Sequence, residues 1–195
     1  DFWSVYKRNG LDIVVAFRGG SGGTDDGINH YGSPARDFIK QDETIPRDIR
    51  NLAAFLKQRI SAQNVHISLV GYSQGGIPAV VTYLLLKEMI HDIKGAQERV
   101  QCITYNPATV FWPRYLYDPA TRRGLLPQTC QSLETKNYSI KNYLIKNDPL
   151  SESIPGKSIP RYTAPRFPGE TFILPQRSSN ILDNHKLIWF TRWQS

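Results

Sequence analysis

The chain has 195 residues, 40% of them hydrophobic and 21% charged, which suits one domain around a single sizeable core and excludes a disordered chain. Its net charge of +7 favours anionic partners, but the basic residues are scattered, with no run of five like charges, no basic helix and no nucleic-acid module. No nucleic-acid partner is therefore expected, general solubility is the leading reading of the charge, and peripheral contact with an anionic membrane surface stays open.

The opening residues, Asp1 to Tyr6, show no basic start followed by an apolar core, so no signal peptide is expected there. The longest apolar stretch, Ile77 to Leu86, is broken by Pro78 and Thr82 and is too short to span a bilayer. Secreted and cytoplasmic locations both remain open. Asp12-Ile13-Val14-Val15-Ala16-Phe17 is a continuous apolar run rich in β-branched residues, as expected of a parallel strand covered on both faces. A glycine-rich loop follows, Arg18 to Gly27, with too little side chain to pack a core and with room for a ligand to approach its backbone.

Ile45, Ile49, Leu52, Ala53, Leu56 and Ile60 recur at helical spacing, predicting an amphipathic helix that starts near Thr44 and Pro46. The run Val65 to Val70 reads as a second strand, and Gln74 to Ile90 as a helix that is apolar nearly all round and hence buried against the sheet. Between them stands Gly71-Tyr72-Ser73-Gln74-Gly75, a G-x-S-x-G string in the strand, turn and helix context that presents a serine nucleophile. Only residues without a Cβ fit beside a serine in so tight a turn.

Val100 to Tyr105 and Ile140 to Lys146 predict further strands separated by an irregular insertion. Asn147-Asp148-Pro149 marks a turn at the carboxyl end of the second. Six prolines between Pro149 and Pro175 keep that stretch extended or looped, apart from one short strand at Thr171 to Leu174, and Asn184-His185 precedes a last short element. Strands alternating with helices argue for a single α/β domain with a mostly parallel, doubly wound sheet flanked by helices. In such sheets functional groups gather at the carboxyl ends of the strands.

The two cysteines, Cys102 and Cys130, are too few for a disulfide scaffold or a metal site of usual spacing, and Cys102 fits a free core thiol at least as well as a half-cystine. A serine hydroxyl needs a base to take its proton and an acid to orient that base. Of the four histidines, His66 falls in the strand before the turn, His91 beyond the following helix and His30 in the glycine-rich loop; His185 alone fits the chain order serine, acid, histidine. Ser73, Asp148 and His185 satisfy that order, with Asp183 the alternative acid and Glu152 a third. Backbone donors for the oxyanion are expected from Gln74, which follows the serine, and from Gly19 or Gly20 after the first strand.

Four stretches in order resemble the class 3 lipase family over nearly the whole chain. Val14-Val15-Ala16-Phe17-Arg18-Gly19 is similar to the family's F-R-G-[ST] oxyanion strand, and Leu69-Val70-Gly71-Tyr72-Ser73-Gln74-Gly75-Gly76 to its G-H-S-L-G-G elbow. Ile145-Lys146-Asn147-Asp148-Pro149 is similar to its N-D-x-V acid segment, and Asn184-His185 with Trp189 to its late H-x-x-x-[YW] histidine. The resemblance implies an α/β-hydrolase fold and a cofactor-free lipase, phospholipase or esterase cleaving carboxylic esters of lipids or small esters through an acyl-enzyme on Ser73. The chain departs from the family at Gly20, where Ser or Thr would add a side-chain donor, and at Tyr72 and Gln74, which give the turn a likeness to cutinases. The Gly20 departure keeps an alternative alive, a binding or scaffold module with a weak or inactive site. Phe111-Trp112-Pro113-Arg114-Tyr115-Leu116-Tyr117 mixes aromatics with a cation, as an acyl-pocket wall, a lipid-facing flap or a small satellite core would.

Overall fold

The computed structural model describes residues 3–8, 10–19, 44–108, 117–118, 123–124, 138–148, 167–180, 184 and 186. Within them the order of elements is β1 (Trp3–Arg8), β2 (Asp12–Phe17), α1 (Thr44–Ala62), β3 (His66–Tyr72), a 3₁₀ turn (Ser73–Gly75) and α2 (Gly76–Met89). A second 3₁₀ turn (Gln97–Arg99), β4 (Val100–Tyr105), β5 (Tyr117–Asp118), β6 (Arg123–Gly124), β7 (Ile140–Ile145) and β8 (Glu170–Leu174) follow. Six strands form one sheet in the order β1-β2-β3-β4-β7-β8, parallel throughout except for β1, which hairpins back antiparallel onto β2. The chain is thus an α/β protein with a mostly parallel sheet. Strands β5 and β6 pair as a separate two-stranded ribbon inside what the sequence suggests is an irregular insertion.

From β2 onward each strand is laid beside its predecessor in the same direction across the sheet. Right-handed crossovers then place successive helices on one face, and α1 and α2 do pack against each other there. The reversal of strand order that defines a doubly wound sheet does not occur among the described strands, so that expectation is corrected to a sheet wound one way. Beneath the helices the inward positions line up in register, Ile13 and Val15 of β2 beside Ile67 and Leu69 of β3, then Val100 and Cys102 of β4, then Ile140 of β7.

The same layering corrects the reading of β2. Ile13, Val15 and Phe17 are buried, whereas Val14 and Ala16 are only half-buried, so the strand alternates. The second face also carries a stacked aromatic row, Tyr105 to Tyr143 at 5.7 Å and Tyr143 to Phe172 at 5.1 Å between ring centroids.

Helix α1 presents Ile49, Leu52, Ala53, Leu56 and Ile60 to the core, at the spacing read from the sequence. Helix α2 is buried on every side from Gly76 to Leu86, the consequence of lying between α1 and the sheet. Pro78 in its first turn lacks only an N–H that would have reached back to Gln74. Two buried hydroxyls of α2 have partners: Thr82 donates to the Pro78 carbonyl at 2.7 Å, and the Tyr83 hydroxyl accepts the N–H of Ser139 at 2.8 Å. Cys102 is a buried free thiol, and burial pushes its ionisation well above the usual thiol range, which removes it as a nucleophile. Cys130 and the stretch Phe111 to Leu116 lie outside the described residues. Among the described residues no helix is long and apolar enough to cross a membrane.

Candidate active site

Parallel strands all point their carboxyl ends to one edge, and that edge gathers the predicted residues. Strand β2 delivers Arg18 and Gly19, β3 delivers Ser73, β4 delivers Asn106, and β7 leads through Asn147 to Asp148. Ser73 has φ 55°, a left-handed backbone that a residue with a Cβ adopts at a cost of about 1–2 kcal/mol. Two hydrogen bonds hold it there: its carbonyl accepts from the N–H of Gly76 and from that of Ala108 at 3.0 Å, the latter from the loop after β4. Strain fixed from two directions in this way marks a position where a side chain is being aimed.

The two glycines of the motif make the turn sterically possible. A Cβ on Gly71 would collide with the backbone of Gly75, and a Cβ on Gly75 would collide with the carbonyl oxygens of Phe17 and Arg18. The elbow is therefore pressed directly onto the end of β2. Gly19 sits on the other side of the contact, where a Cβ would lie 3.1 Å from Tyr72 and 3.3 Å from the Ser73 Cβ. The consequence is testable by thermal unfolding: Gly75→Ala forces backbone to shift at the β2 contact, a cost of about 1–3 kcal/mol, lowering Tm by roughly 2–12 °C. An unchanged Tm would mean that the turn relaxes freely.

Gln74 is the middle residue of the 3₁₀ turn, at the start of α2. The first N–H groups of a helical segment have no partner within it and carry its partial positive charge, the arrangement that stabilises a developing oxyanion. Gly19 brings a second main-chain segment beside the serine. Gly20, the other expected donor, lies outside the described residues.

Asp148 is fully buried. It follows a turn in which Asn147 takes φ 65° and the Asp148 N–H donates to the Ile145 carbonyl at 3.0 Å. The Asn147 side chain donates to Gln176 Oε1 at 2.6 Å, tying this turn to the segment beyond β8. Strands β3 and β7 are separated by β4 alone. Two strand spacings put the axes of β3 and β7 about 9.5 Å apart.

His185 and the alternatives Asp183 and Glu152 lie outside the described residues, as does His30. Two other histidines are placed away from the site. His66 opens β3 at the amino edge of the sheet and is exposed, and His91 lies beyond the far end of α2, exposed, with Nδ1 2.8 Å from the Glu88 carbonyl. Asn184, the described residue just before His185 in sequence, is fully buried and bonded to Asn106 at the end of β4. Neither asparagine stands out in the sequence, since Asn after a strand reads simply as a turn residue.

No group of three or more His, Cys, Asp or Glu side chains suited to a metal ion occurs among the described residues. No family model matches the chain, and no curated protein matches it.

Proposed function

We propose that the chain is a serine hydrolase of the α/β-hydrolase fold, similar to class 3 lipases, that cleaves carboxylic esters of lipids or small molecules without a cofactor. One observation carries this reading: the left-handed backbone of Ser73 in a G-x-S-x-G turn at the carboxyl end of a central parallel strand. A serine serving only as a helix cap takes an extended backbone, with no reason to bear this strain.

In the proposed reaction Ser73 Oγ attacks the ester carbonyl carbon while His185 takes its proton and Asp148 holds the imidazole in the required tautomer. The carbonyl oxygen, now negative, is met by the N–H of Gln74 and by one from Gly19 or Gly20. Collapse of the tetrahedral intermediate passes the proton from His185 to the leaving alcohol and leaves the acyl group on Ser73 Oγ. Water, deprotonated by the same histidine, then releases the acid and restores the serine. Gly20 offers no side-chain donor, so this oxyanion site depends on main-chain groups alone.

The test is labelling with a fluorophosphonate probe, followed by hydrolysis of p-nitrophenyl esters of increasing acyl length. Wild type is expected to be labelled at Ser73, and the chain-length profile separates a lipase from a short-chain esterase. Folded wild type that resists the probe, both in buffer and with anionic phospholipid vesicles present, would overturn the proposal in favour of a binding module.

A further inference from the structure

The carboxyl edge holds a buried polar link that the proposed chemistry leaves unused. Asn106, the residue after β4, is fully buried with φ 42°. Its Oδ1 accepts the N–H of Ile145 at 2.8 Å, and its Nδ2 donates to the carbonyl of Asn184 at 2.8 Å. Its own N–H donates to the Tyr143 carbonyl at 2.8 Å. Asn184 continues the chain of bonds, its Oδ1 accepting from the N–H groups of Arg177 at 3.0 Å and Ser178 at 2.9 Å, and its Nδ2 donating to the Ser178 carbonyl at 3.1 Å. One asparagine thus grips the main chain at the end of β7, shortly before Asp148, and the main chain immediately before His185. The other grips the segment beyond β8.

We infer that Asn106 and Asn184 are positioning residues that hold His185 in reach of Ser73 and Asp148, an inference that rests on the serine-hydrolase reading. A base must sit within about 0.5 Å of its productive place, and a misplacement of about 1 Å costs on the order of 100-fold in rate. A catalytic base needs such anchoring, and these bonds supply it to the residue before His185 from two strand ends at once. Their burial makes them exacting, because an amide or carbonyl left unpaired there loses its water without gaining a partner. Asparagine also suits the left-handed backbone of position 106 better than other residues bearing a Cβ.

The experiment compares rates of fluorophosphonate labelling per folded molecule. Asn106→Asp keeps the shape and the acceptor for Ile145 but turns the donor facing the Asn184 carbonyl into a second acceptor until the new carboxyl is protonated. It is expected to label about 10- to 100-fold more slowly than wild type at pH 8, with the ratio recovering towards one at pH 5. Asn184→Asp retains the acceptor for Arg177 and Ser178 but sets a second acceptor against the Ser178 carbonyl, so it is expected to be slowed at pH 8 and to recover towards pH 5 as Asn106→Asp does, whereas Asn184→Ala is slowed about tenfold or more at both pH values. That pair decides the matter should Asn106→Asp fail to fold. A deficit independent of pH in Asn106→Asp and in Asn184→Asp, or an Asn184→Ala variant labelled at the wild-type rate, would overturn the positioning role while the hydrolase reading stands. Wild type that is never labelled would overturn both.

Discussion

Ser73→Ala is expected to abolish fluorophosphonate labelling and to lower ester cleavage by about 10⁴- to 10⁶-fold with the fold intact, and His185→Ala to do nearly the same. The structural reason for an intact fold is that what the turn needs from residue 73 is its backbone. Its carbonyl takes the Gly76 and Ala108 N–H groups whatever the side chain. A second substitution separates strain from chemistry. At φ 55° alanine keeps the Cβ penalty that glycine escapes, so Ser73→Gly is expected to be more stable than Ser73→Ala by about 1 kcal/mol, or roughly 2–4 °C in Tm. Both variants are equally inactive on this account, which makes the serine a position where stability is given up for an aimed hydroxyl. Retained labelling in either variant would remove Ser73 from the chemistry, and a less stable glycine variant would mean that the turn is unstrained.

The elements readable from the sequence are those whose pattern has a single physical cause. The apolar face of α1 and the all-round burial of α2 follow from periodicity, and the turn at Ser73 follows from two glycines whose absent side chains leave room for backbone. Strand β1 gives no such signal. At the edge of the sheet it carries Ser4, Val5, Tyr6 and Lys7 exposed, so neither a continuous apolar run nor an inside-outside alternation marks it, and it is held by pairing with β2. The direction of winding was likewise out of reach, because strand and helix alternate along the chain in the same way whether a sheet is wound once or twice. The link between Asn106 and Asn184 joins residues 78 positions apart, a pairing that no local pattern encodes.

The choice of acid is the assignment on which the sequence left most open, and Asp148→Asn is expected to lower kcat by about 10³- to 10⁴-fold because the histidine loses the partner that fixes its tautomer. The position argues for this role. Asp148 is fully buried on the edge that carries Ser73, one intervening strand away, and a carboxylate is rarely taken out of water without a partner for its charge. Asn147 in its left-handed turn, bonded to Gln176, fixes the main chain that bears it. Asp183, two residues before His185 in sequence, would have to fold back upon the ring, so Asp183→Ala is expected to keep most of the wild-type rate. Steady-state kinetics with a p-nitrophenyl ester, read beside thermal unfolding, distinguish the two acids. The expected signature for Asp148→Asn is a fall in kcat with KM little changed, since tautomer and charge act on the transition state more than on substrate binding. Strong loss in Asp183→Ala together with a retained rate in Asp148→Asn would reverse the assignment, leaving Asp148 a buried turn residue that braces the end of β7.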